Sequence, residues 1–223
     1  MKLYMHPVST AARPVRLFIA EHGIACEEEF VDLMAGAHHQ EPYASLNPSK
    51  MLPMLDDEGF RLTESSAILK YLADKYDLPE YPKDLRERAR VNEAMDWLNT
   101  QFYRDFGYGL VYPQLFPSHK RRSDEAHGAC IEWGQKNAQR WLQVLNDHWI
   151  GDKPFLCGDR ITIADYFGSG IVSIGELVGC DWSGYPNIKR WLGHMKQLRS
   201  WAAVNEVFEN IAAGNRDKDF VRA

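Results

Sequence analysis

M-L-P-M-L-D-D-E-G-F-R-L-T-E-S-S, residues 51–66, holds two short apolar runs on either side of a turn. Met54-Leu55 and Phe60 to Leu62 read as strands, and Asp56 to Gly59 between them has the composition of a hairpin turn. From Ser65 the pattern changes to helical spacing and holds to about Tyr76. A hairpin followed by a covering helix is half of a small α/β unit, and the segment before it supplies the other half. Lys2 to Met5 alternates as a strand, and Pro7 breaks it. Thr10 to His22 then places Val15, Leu17, Phe18 and Ile19 at helical spacing before Gly23 offers a C-terminal stop. Cys26 to Val31 reads as a second strand whose glutamates suit a sheet edge, and residues 33–50 are loop-rich with one helical turn around Tyr43.

The order β-α-β, then β-β-α, is that of a thioredoxin-like domain: a crossover giving parallel strands, then a hairpin and a helix. Residues 1–77 are assigned to it. The proline-punctuated polar stretch that follows is read as a linker over 78–84, and residues 85–223 as an all-helical domain. Helices are predicted for Leu85 to Val111, Ser123 to Trp149, Ala164 to Val178, Ile188 to Leu198 and Trp201 to Ala213. Gly107 and Gly109 predict a bend in the first of these. Thr162-Ile163-Ala164-Asp165 is a capping-box variant with a structural role.

Composition narrows the function. The 26 Lys and Arg against 31 Asp and Glu give a net charge of −5, with both signs scattered, so no stripe suited to a phosphate backbone is present and nucleic acid is not an expected partner. Lys120 to Arg122, the densest basic cluster, reads as solvated surface. The 4 cysteines form no CxxC pair, so neither a zinc site nor a dithiol redox motif is indicated, and reduced thiols fit a cytoplasmic protein. The opening residues are too short and interrupted for a signal sequence, and Glu176 breaks the weakly polar stretch from Gly168 to Gly179 well short of a membrane span.

In a thioredoxin-like domain the loop before the first helix holds a sulfur beside free backbone N–H groups and the positive end of the helix dipole. Here that loop is H-P-V-S-T-A-A-R, residues 6–13, with no cysteine before Cys26. The sulfur is therefore expected from a ligand, with Ser9 as the hydroxyl donor. A free thiol of pKa near 8.5 is only a few per cent ionised at neutral pH, and the thiolate is the nucleophile. A hydroxyl donor and a helix terminus need lower that pKa by roughly two units, about 2.7 kcal/mol. The competing reading of Ser9 is a plain helix N-cap. Tyr4, at the end of the first strand, is the rival donor.

The motifs S-T-A-A-R-P-V-R, V-D-L-M-A-G-A-H-H, N-P-S-K-M-L-P-M-L and L-T-E-S-S-A-I-L-K-Y-L occur in this order across residues 1–76. Together they resemble the N-terminal domain of the cytosolic glutathione transferases, and the second domain is similar more loosely. Serine at position 9 resembles the theta-like and related bacterial branch. The resemblance implies a glutathione-binding set of Ser9, His38, Lys50, Leu52, Pro53, Glu64, Ser65 and Asn99. Leu52-Pro53 would be the cis-proline dipeptide that pairs with the cysteinyl backbone, and Glu64 and Ser65 would take the γ-glutamyl end. His38, with His39 as helper, would lie near the glycyl carboxylate with Lys50, although the family more often has lysine where this chain has Met51. Asn99 would reach the partner subunit's glutathione in a homodimer. Tyr103, Phe106 and Tyr112 would line the electrophile pocket. Arg13 is expected to be structural.

The activity implied is conjugation of glutathione, as co-substrate, to a hydrophobic electrophile, with no metal required. Glutathione-dependent reduction, dehalogenation or isomerisation on the same fold, and a non-catalytic binding module, are the alternatives.

Overall fold

The computed structural model of the protein describes residues 1–223. Four strands, β1 (Lys2–Met5), β2 (Glu27–Phe30), β3 (Met54–Asp57) and β4 (Phe60–Leu62), form one sheet in the order β2-β1-β3-β4. β1 and β2 run parallel, as the intervening helix α1 (Ala12–His22) requires, and β3 lies antiparallel to both β1 and β4. Strand alternation divides the faces. Leu3 and Leu55, opposite one another, enter the main core with Phe18 of α1 and Leu69 of α3 (Ser65–Lys75). Tyr4 and Met54, one residue along, face the other side, where they pack with Val31, Leu52 and Tyr43 of the short helix α2 (Tyr43–Leu46). β2 is an edge strand, as its sequence predicts: Glu27 and Glu28 are exposed, and Lys2 reaches Glu27 and Glu29 at 3.3 and 3.1 Å.

α1 begins two residues later than the periodicity predicts. The Ser9 carbonyl already accepts from the Ala12 and Arg13 amides, so residues 9–11 form the turn that leads into the helix. It stops at Gly23, whose φ of 62° is left-handed and inexpensive only for glycine. The stretch read as a linker is not a free tether. Tyr81 is buried, its hydroxyl donates to Asn92, Arg88 stacks over its ring, and the Glu80 carbonyl accepts from Ile163.

The helical part is built from α4 (Leu85–Trp97), α5 (Tyr112–Leu115), α6 (Asp124–Val144), α7 (Ile163–Val172), α8 (Pro186–Lys196) and α9 (Trp201–Gly214). Asp84 caps α4 by accepting from the Arg86 and Glu87 amides. Between α4 and α5 the helix does not end. It continues through π-helical turns over Leu98–Phe102 and Arg104–Val111, the second of which contains Gly107 and Gly109. There α6 crosses in close contact: a methyl group on Gly134 would fall 2.4 Å from the Gly109 carbonyl.

α7 is buried along its whole length and packs against α1, α3, α4 and α8. Its capping box forms as predicted. No helix is long and apolar enough to cross a membrane.

Candidate active site

A cleft of about 910 Å3 opens where the loops at one end of the sheet meet the wide-turn helix and α7. Its sheet side includes Ser9, His38, Leu52, Pro53, Glu64 and Ser65, and its helical side Asn99, Tyr103, Tyr108, Tyr112 and Phe116, with Phe167 and Ile171 behind them.

Ser9 sits at the mouth of α1. Its amide donates to the His6 carbonyl at 3.0 Å, and its Oγ accepts from the Ala12 amide at 3.2 Å. That bond uses a lone pair and leaves the hydroxyl hydrogen without a protein acceptor, so capping and donation are compatible roles. A hydroxyl oxygen that already accepts is also the better donor.

The adjoining loop is tied from below: Tyr43 Oη donates to the Met51 carbonyl at 2.5 Å and Asn47 Nδ2 to the same oxygen at 2.8 Å. Beyond it the Leu52-Pro53 peptide is cis, and neither Leu52 N–H nor C=O is bonded within the protein. An extended ligand backbone can therefore pair with both groups.

Glu64 has a φ of 63°, a left-handed backbone that costs a non-glycine residue roughly 1–3 kcal/mol. It turns the chain from β4 into α3. α3 has no side-chain cap and no acidic residue in its first turn, so the amides of buried Ser65 and of Ser66 and Ala67, which precede the first helical bond from Ile68, are free for a carboxylate. Glu64 itself is exposed at the same rim, where it can meet an ammonium group.

His38 stacks against His39 with ring centroids 3.9 Å apart, and its Nδ1 is buried without a partner. Burial, reinforced by His39, pushes its pKa down, so His38 is a neutral hydrogen-bonding group rather than a cation at neutral pH.

The structure places three residues named from the sequence away from the lining of this cleft. Lys50 does not line the cleft: the turn that bonds its amide to the Asn47 carbonyl, at a φ of 53°, leaves its side chain in solvent. Phe106 is wholly buried, packed on Phe102 and Trp182, and belongs to the core. Tyr4, the rival donor, faces the far side of the sheet against Tyr43 and does not reach the cleft.

The π-helical turns explain Phe106. An α-helix brings residues 99, 103 and 106 onto one face, but a wider turn advances that face by about one residue per turn. The residues that share the cleft wall are consequently Asn99, Tyr103, Tyr108 and Tyr112. The three tyrosine rings pack with centroids 5.1–5.9 Å apart. Tyr103 and Tyr112 are hydroxyl to hydroxyl at 2.5 Å, and Tyr112 donates to Thr10 Oγ1 at 2.7 Å. Burial pushes Tyr112 up to about 12 and Tyr103 well above the ordinary tyrosine value, so both stay protonated. His119, whose pKa burial lowers, packs near Tyr112 and Phe116 at the rim. Thr10 and His119 escaped the sequence reading. Thr10's position directly after Ser9 was the only available signal.

Fold and cleft together define a thioredoxin-like protein with an appended helical unit and a cleft between the two that is open at the start of α1. Residues 1–74 match the family described as "Glutathione S-transferase, N-terminal domain", and residues 120–198 the one described as "Glutathione S-transferase, C-terminal domain". Among similar proteins, glutathione S-transferase theta-1 of Mus musculus is 34% identical over 199 residues, spanning 86% of this chain and 80% of that protein. A structure of human glutathione transferase theta-2, in complex with glutathione and an unknown ligand, superposes with a TM-score of 0.84 at 30% identity, over 99% of this chain and 92% of that one. A human theta-class enzyme in complex with the glutathione conjugate of 1-menaphthyl sulfate does so with a TM-score of 0.81 at 32% identity, over 96% and 90%. The chain belongs to the glutathione S-transferase family and is similar to its theta-class members.

Proposed function

We propose that this chain is a glutathione transferase in which Ser9 stabilises the glutathione thiolate and the helical wall of the cleft holds a hydrophobic electrophile. The observation that carries this reading is the Ser9 hydroxyl, buried at the start of α1, with its oxygen engaged and its hydrogen unspent. The unbonded Leu52 peptide groups and the uncapped start of α3 lie along the same cleft and match the cysteinyl backbone and γ-glutamyl carboxylate of one tripeptide. Glu64 would meet the ammonium group of that ligand, and His38 its glycyl end. The theta-class relatives solved with glutathione and with a glutathione conjugate support this placement.

In the reaction, the thiol proton leaves to solvent and Ser9 donates a hydrogen bond to the resulting thiolate. A sulfur lone pair then forms the C–S bond. The electrons displaced at the electrophilic carbon depart with its leaving group, or settle on an adjacent atom that water protonates. Tyr103, Tyr108 and Tyr112 supply an apolar, π-rich wall for the electrophile. Residues 1–77 would thus provide the thiol site and residues 85–223 the second-substrate wall. The family resemblance supports a homodimer with Asn99 at the subunit boundary.

The test is Ser9→Ala. Glutathione should still bind, while the apparent pKa of its bound thiol, followed by ultraviolet titration, rises by about one to two units. An unchanged pKa would remove Ser9 from the role.

A further inference from the structure

Thr10 follows Ser9, is equally buried, and lines the same cleft. Its hydroxyl is the last member of a chain that crosses from the helical wall: Tyr103 to Tyr112 at 2.5 Å, and Tyr112 to Thr10 at 2.7 Å. The direction of this chain follows from counting hydrogens. A phenol has one, and Tyr112 spends it on Thr10 Oγ1. In the contact between the two tyrosines, Tyr103 must therefore be the donor. Each link then polarises the next in the same sense, toward Thr10. Thr10 accepts at the end of the chain, and its own hydrogen meets no acceptor in the protein.

A buried hydroxyl hydrogen without an acceptor is costly, and the open side of Thr10 is the cleft beside Ser9. We propose that Thr10 is a second catalytic donor, giving a hydrogen bond to the glutathione thiolate, and that Tyr103 and Tyr112 are positioning residues that orient and polarise its hydroxyl. The inference rests on the placement of the thiol at Ser9. Because both tyrosines remain protonated, the chain supplies hydrogen bonding rather than charge. The charged or titratable groups around it are Arg13 on α1, and Arg104, Tyr108 and His119 at the rim. None of them bonds to Thr10.

A purely structural Thr10, joining the sheet unit to the helical wall, would show the same contacts. The two roles separate in the thiol pKa, read by ultraviolet titration of the glutathione complex, with binding verified by calorimetry. Thr10→Val keeps the side-chain shape, removes the hydroxyl, and should raise the apparent pKa by about half a unit to one unit. Thr10→Ser should restore it, and Tyr112→Phe should shift it in the same direction by less. Should Thr10→Val fold poorly, Thr10→Ala carries the same test.

A wild-type pKa in Thr10→Val that still binds glutathione would overturn the proposal. A shift in Thr10→Val with none in Tyr112→Phe would overturn the chain as its cause. Ser9→Ala, run alongside, keeps the outcomes apart. No shift there with a shift at position 10 would displace Ser9 and leave Thr10 as the donor.

Discussion

At the scale of single residues, Asp165 illustrates what burial demands of a charge. It is fully enclosed, yet it accepts from the Leu156 amide at 2.8 Å, the Thr162 amide and hydroxyl at 2.8 and 2.9 Å, and Trp191 Nε1 at 2.9 Å. Burial raises its pKa while these bonds oppose the rise. Its bonds to Thr162 were legible as a capping box. The bonds to Leu156 and Trp191 were not, because they join segments that meet only on folding. Asp165→Ala should cost roughly 3–5 kcal/mol by leaving several buried donors unmatched, as measured by chemical denaturation. A loss under about 1 kcal/mol, the ordinary value of a helix cap, would show that only the cap matters. Ser9 was legible for a different reason: a serine at the mouth of a helix is a local pattern. That no protein acceptor meets its hydroxyl is decided by the tertiary structure.

At the scale of elements, the run from α4 to α5 decides the character of the cleft. Its π-helical turns bring Tyr108 into line with Tyr103 and Tyr112 and bury Phe106. Helical periodicity predicts the opposite pairing, and no residue type in Asn99 to Tyr112 announces a change of pitch. Gly107 and Gly109 signalled only that something there would bend. What they permit is close packing: a methyl group on Gly107 would fall 2.5 Å from the Tyr103 ring, and Gly109 lies against Gly134 of α6. Gly134→Ala sets a carbon against backbone, which cannot move aside as a flexible side chain can. It should destabilise by about 1–3 kcal/mol and raise KM for the electrophile more than for glutathione. Thermal unfolding and two-substrate kinetics check this. Equal changes in both KM values would show that the crossing does not shape the tyrosine wall.

At the scale of the whole molecule, Arg13 ties the sheet unit to the helical one. Its guanidinium leaves α1 to reach the Gly170 carbonyl at 2.8 Å, Ser173 Oγ at 3.1 Å and Asn205 Oδ1 at 2.9 Å, and it lies 3.6 Å over the Phe208 ring. No carboxylate bonds to it, and burial lowers its pKa to about 10. Arg13→Ala should cost about 3–5 kcal/mol, through a cavity and unmatched acceptors, whereas Arg61→Ala, which breaks the surface pair with Asp56, should cost under about 1 kcal/mol. Similar losses in the two variants by chemical denaturation would refute this role.

The sequence by itself determined the element order, the hairpin, the stop at Gly23, the capping box and the serine at the opening of α1. All of these follow from propensities and hydrogen bonds within a few residues of chain. Only the tertiary structure decided which face of the long helix meets the cleft, that Lys50 stays in solvent, that Thr10 ends a hydroxyl chain begun on the helical wall, and where Arg13 finds its partners. The last two depend on packing between segments more than a hundred residues apart: Tyr112 meets Thr10 across 102 positions and Arg13 meets Asn205 across 192. No local pattern carries that information, because the partners become neighbours only when the shared core forms.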